Sequence, residues 1–153
     1  MKKFITFLIS TVLVIGTVGC ENVSKTSSDA PNTTNETAKA PDAQTAQQTQ
    51  GDATSEVRKN QIESDIRARE QRNDAGGDDA KRADGDLESE VRGKLEANIP
   101  ASQLAVDAEE GAVTVTGTVP TQNDVNKIDT LSKEIKGVMS VTNKATVAPA
   151  TSQ

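Results

Sequence analysis

An α/β (α+β) domain with the element order α-β-β-α-β is predicted for residues 84–148, and three periodicities predict it. Leu87, Val91, Leu95 and Ile99 recur at every fourth position. Leu104, Val106 and Ala108, then Val113, Val115, Gly117 and Val119, alternate with polar neighbours on either side of Glu109-Glu110-Gly111. Val125, Ile128, Leu131 and Ile135 form a second helical stripe, followed by a last alternation of Met139, Val141, Ala145 and Val147.

Each element has a beginning and an end in the sequence. Asp84 or Asp86 caps the first helix and Pro100 forbids its continuation. Gly111 suits a hairpin turn that needs positive φ, and Gly117, inside a strand, marks a bulge or a close backbone approach. Pro120-Thr121 ends the hairpin, and Thr121 with Asp124 resembles a capping box for the second helix. Gly137 stands where a left-handed residue closes that helix. The expected result is a three-stranded sheet with two helices on one face. The other face, with Thr114, Thr116, Thr118, Ser140, Thr142, Lys144 and Thr146, is expected to be polar.

Upstream, Lys2-Lys3, an apolar run from Phe4 to Val18, and Gly19-Cys20 have the order of an export signal. The run is short for a transmembrane helix. In these residues the chain resembles bacterial lipoproteins, with Thr17 departing from the usual aliphatic residue. The resemblance implies a signal peptide at 1–19 and a mature chain that starts at a lipidated Cys20, the only cysteine in the sequence. Glu21 after the cysteine implies, by the same resemblance, the periplasmic face of the outer membrane.

Residues 20–53 are Ser, Thr, Asn, Gln, Ala and Pro with scattered charge, and are expected to form a disordered linker. Residues 54–83 are expected to be a polar spacer helix and an acidic hinge, because Glu, Arg, Lys and Gln dominate up to Asn73 and only Ile62 and Ile66 share a face. Ile62 to Arg69 echo Leu87 to Lys94 class by class, until Glu70 stands where Leu95 continues the stripe. A coil from Glu21 to Ala83 spans about 45 Å, enough to let the domain move well away from its anchor. Residues 149–153 are a short tail.

Composition excludes most chemistries. The sequence contains no histidine, tryptophan or tyrosine, and both phenylalanines, Phe4 and Phe7, belong to the signal. The usual neutral-pH general base, transition-metal ligands and stacking platforms are therefore missing, so no catalytic residue, metal site, cofactor or nucleic-acid partner is assigned. Loss of Lys2 and Lys3 takes the formal net charge from −6 to −8, which repels phosphate backbones.

Asp86-Leu87, Val91, Leu95 and Val106, the run Gly111-Ala112-Val113-Thr114-Val115-Thr116-Gly117-Thr118-Val119, and then Gly137-Val138, Val141 and Asn143 resemble the BON domain family, named for bacterial OsmY and nodulation proteins. The resemblance covers residues 84–148. It implies an OsmY-like envelope module, exported, with phospholipid or stress-tolerance roles, and makes Gly111, Gly117 and Gly137 its structural signature.

The candidate phospholipid-binding residues are Lys127, Lys133 and Lys136 on the second helix, whose stems can cover apolar surface while their ammonium groups meet headgroups. The reading is a non-enzymatic envelope protein, anchored in membrane lipid through acylated Cys20, whose domain associates with phospholipid and supports envelope integrity under stress. The alternative is a lipid-anchored adaptor that binds envelope proteins and does not itself recognise lipid.

Overall fold

A computed structural model describes residues 23–76 and 82–150, so the signal, Cys20, part of the acidic hinge and the last three residues lie outside the described residues. The predicted order holds. α3 (Asp84–Asn98), β2 (Gln103–Glu109), β3 (Ala112–Val119), α4 (Gln122–Lys133) and β4 (Ser140–Val147) follow β1 (Ser24–Lys25), α1 (Ala43–Thr54) and α2 (Glu56–Gly76).

The sheet has four strands rather than the three expected, in the order β1-β2-β3-β4. β1 to β3 are antiparallel neighbours, whereas β3 and β4 run parallel because α4 crosses between them. Glu110 and Gly111 both have positive φ and form the two-residue loop that joins β2 to β3, the conformation that matches strand twist.

Leu87, Val91, Leu95 and Ile99 of α3, Leu104, Val106 and Ala108 of β2, Val113, Val115 and Val119 of β3, and Ile128 and Ile135 form one buried cluster. The last expected alternation is the weakest part of it: Met139 precedes β4 and is 70% exposed, Val147 is 41% exposed, and Asn143 takes a core-facing place on β4, level with Val115. There its Nδ2 donates to the Val125 carbonyl at 3.1 Å and its Oδ1 accepts from the Ala145 amide at 3.0 Å, which fastens the strand to α4.

The helix starts are mixed. Thr121 caps α4, accepting from the Asp124 amide at 3.2 Å and donating to the Asp124 carboxylate at 2.7 Å. Neither aspartate caps α3. Ala83 occupies the N-cap position, Asp84 accepts from the Glu110 amide at 2.9 Å, and Asp86 is drawn to Arg69 and Arg72.

The largest correction concerns residues 20–53, expected as a disordered linker. Asp42 caps α1 by accepting from the amide and hydroxyl of Thr45, and Ala30, Thr34 and Ala53 are buried. The expected spacer helix, α2, is likewise docked rather than free. Ile62 is 3% exposed, and its Cγ2 lies 3.0 Å from where a Cβ on Gly93 would stand, so the bare backbone of α3 receives it. Arg58 meets the buried Glu96 through two hydrogen bonds, of 2.6 and 3.0 Å, and Arg69 pairs with Asp86, so α2 and α3 run antiparallel.

Candidate functional surfaces

The three candidate lysines do not form one patch. Lys127 is paired with Asp124 at 2.8 Å one turn earlier, and Lys136 lies beyond the end of α4, 3.3 Å from Asp74 of α2. Lys133, in the last turn, is exposed. At 3.6 residues per turn, Lys127 and Lys133 project about 120° apart around the helix. Lys136 is off the helix because Gly137, at φ 97°, closes the turn after it, and its carbonyl accepts from Arg82.

The three signature glycines are places where a side chain does not fit. A Cβ on Gly117 would stand 2.0 Å from the Gln103 carbonyl oxygen across the β2–β3 ladder, at φ 134°. Gly111 and Gly137 meet at the other end of the sheet. A Cβ on Gly111 would lie 2.9 Å from the Gly137 carbonyl oxygen, and one on Gly137 would lie 2.6 Å from Arg82 Cδ. Arg82, Ala83, Asp84, Leu87, Glu110 and Met139 surround this junction and leave a cleft of about 470 Å³.

Beneath the cleft lies a buried ion pair that the sequence reading did not single out. Arg82 and Glu90 side chains are 1% and 0% exposed, and Arg82 spans from the Glu90 carboxylate to the Lys136 carbonyl. Burial pushes the Glu90 carboxyl above its ordinary range, against the hydrogen bond and charge of Arg82. The signal in the sequence is position: Glu90 follows Leu87 by three residues, on the side of α3 that turns inward.

The threonine face is half covered. Ala105, Thr116 and Thr118 are buried, whereas Thr142, Lys144 and Thr146 on β4 are exposed. Residues 34–38 share a cleft of about 320 Å³ with Thr116, Gly117, Lys144 and Thr146, which places the N-terminal segment across this side of the sheet.

In comparison with known families, residues 83–149 fit the model described as BON domain. No curated protein and no solved structure matches the chain.

Proposed function

We propose, from the premise that this chain is a BON-domain protein, that it is a non-catalytic module anchored to the cell envelope through lipidated Cys20, where its domain associates with phospholipid and supports envelope integrity under stress. The match of residues 83–149 carries this reading, since a BON domain points to a membrane or phospholipid role and the family is generally non-catalytic. The leader ending in Gly19-Cys20-Glu21 supports the anchor. Two or three acyl chains, at ~0.8 kcal/mol per buried methylene, make such attachment effectively permanent.

Cys20→Ser is expected to abolish incorporation of labelled palmitate and to move the protein out of the membrane fraction, because no other thiol exists in the chain. Equal labelling of mutant and wild type rejects the anchor.

Lipid recognition by the domain itself is tested with the unlipidated mature chain, in co-sedimentation with liposomes of graded anionic content. Replacing Lys127, Lys133 and Lys136 with Gln is expected to weaken binding by roughly thirtyfold to a hundredfold, at about 1 kcal/mol for each lysine near an anionic surface. Lys127 and Lys136 already have carboxylate partners, so Lys133→Gln is expected to account for the largest single share. High salt should reproduce the loss. Binding that survives both treatments moves the contact elsewhere.

The adaptor reading rests on a separate observation. Among the described residues β4 is an eight-residue strand at the edge of the sheet, paired with β3, and its other side offers a ladder for an added strand. Crosslinking from β4 to one envelope protein in cells, with no liposome binding, would favour it.

A further inference from the structure

We propose that β4 is the interface of a symmetric homodimer, in which two copies of this chain pair their β4 edges antiparallel about Asn143 and join their sheets into one. The proposal needs neither the acyl anchor nor lipid binding by the domain. It gives to a second copy the edge that the adaptor reading offers to another protein.

The two edges of the sheet differ. β1 pairs only through Ser24 and Lys25, whereas β4 runs from Ser140 to Val147 in unbroken register with β3 and contains no proline. Short strands, bulges, prolines and charges close an edge to further pairing, and of these β4 carries only Lys144. The amides of Ser140 and Ala148 donate inward, to the Gly111 carbonyl at 3.4 Å and the Val119 carbonyl at 3.0 Å. Backbone groups alternate sides along a strand, so those of Val141, Asn143, Ala145 and Val147 turn to the open edge. Among them, the Ala145 amide already donates to Asn143 Oδ1 at 3.0 Å. Pairing replaces that acceptor with the Val141 carbonyl of the second copy, so this bond is exchanged rather than gained.

Side chains choose the partner and the register. Val57, Met139 and Val147 are the exposed large apolar residues among the described ones, and Met139 and Val147 stand at opposite ends of β4. Both lie on the helix-bearing face. Val147 is level with the buried Val119, and Met139 shares a cleft with Leu87 of α3. An antiparallel pairing with Asn143 opposite Asn143 sets Met139 of each copy against Val147 of the other, and Val141 against Ala145. On the opposite face it sets Lys144 against Thr142. The Met139 amide is held by the Gly111 carbonyl at 2.8 Å, so at both ends the contact is made by side chains. A shift by two residues keeps the faces and loses the match, because one way Lys144 meets Lys144 and the other way Val147 meets Gly137. An edge whose own residues complement each other in a single register is what a two-fold interface requires.

The pairing also sets the geometry and strength of the dimer. Its two-fold axis stands normal to the sheet, so the helices of both copies lie on one side of the joined strands. α4 packs on β4, which brings the two α4 helices side by side and antiparallel, each with its exposed Lys133. The threonine sides of both copies, with Thr142, Lys144 and Thr146, form the opposite surface. One added ladder is a small contact, so the dimer belongs with the weak interfaces and should dissociate on dilution.

The mature chain carrying Cys20→Ser tests the pairing in solution, with no lipid present. Sedimentation at concentrations up to about 1 mM is expected to show a reversible monomer–dimer equilibrium. The register is read by mixing two single variants made on that background, Thr142→Cys and Lys144→Cys, both at exposed positions, and oxidising the mixture. Residues directly opposed in this register have Cα atoms about 4.5 Å apart, within disulfide reach, whereas like residues are offset along the strands. The disulfide between unlike variants is therefore expected to exceed either like product severalfold, read by mass. A statistical mixture, an excess of either like product, or a monomer at every concentration overturns the proposal. Met139→Lys is expected to raise the dissociation constant about tenfold, since the two-fold counts the lost contact twice, and to leave the urea midpoint of the monomer unchanged. Adding Val147→Glu should recover most of that loss, because the new charges meet across the two copies. A dimer insensitive to Met139→Lys, or without recovery on adding Val147→Glu, overturns the proposed register. A monomeric chain leaves the anchor and phospholipid readings standing, since palmitate incorporation and liposome binding test those separately.

Discussion

Val115→Asp is expected to abolish the cooperative unfolding transition of the mature chain. Val115 is fully buried, pairs with Val106 on one side and Asn143 on the other, and lies in the cluster beneath both α3 and α4. A carboxylate there has no cation to meet. Its burial costs several kcal/mol, comparable with the ~3–5 kcal/mol that a core of this size supplies. Urea titration followed by far-UV circular dichroism reads the result directly. Thr142→Asp, on the exposed face of β4, is the control and should change stability by no more than about 0.5 kcal/mol. A wild-type midpoint for Val115→Asp would mean that the register of β3 is wrong.

Val115 could be placed from sequence because strand alternation reports which face is buried, and the same holds for the stripe from Leu87 to Ile99 on α3. The elements that escaped are those whose stabilisation comes from few or small groups. β1 contributes two paired residues and the hydroxyl of Thr26, too little to register as an apolar pattern. α1 presents no large apolar residue, although Pro41-Asp42 followed by Thr45 is a helix-start signal that the composition of the region obscured. α2 docks through Ile62 against a glycine, and the vacancy at Gly93 is invisible to any count of hydrophobic residues. The echo between Ile62–Arg69 and Leu87–Lys94 thus joins two helices that pack on each other, with Arg58 and Arg69 supplying the pairing that an apolar stripe would otherwise supply. The candidate lysines misled for a different reason. Helical periodicity was extended past Lys133 to Lys136, where Gly137 and the Arg82 contact had already turned the chain.

The Arg82–Glu90 pair gives the second large effect, and its sign depends on which partner is removed. Arg82→Met leaves a fully buried carboxylate without its cation and frees the Lys136 carbonyl, and the loss expected for breaking such a pair is ~3–5 kcal/mol. Glu90→Leu alone strands the guanidinium instead and should be similarly costly. The double variant Arg82→Met, Glu90→Leu removes both charges together, and most of the loss should be recovered, because well-packed apolar replacements of a buried pair are commonly neutral or stabilising. The stem of Arg82 already lies against Gly137, which Leu87 also flanks, so the methionine inherits an apolar setting. pH separates this account from simple loss of packing. Burial holds the Glu90 carboxyl above its ordinary range even beside Arg82, and without the guanidinium it rises further. A raised folded-state value stabilises the fold below the unfolded carboxylate range and loses that contribution as pH rises through the folded value. Arg82→Met should therefore regain much of its stability on acidification, while the double variant should show no Glu90-dependent pH response. Urea midpoints at several pH values decide the matter. If Arg82→Met is equally destabilised at all of them, the cost lies in packing around Gly137 and not in the stranded charge.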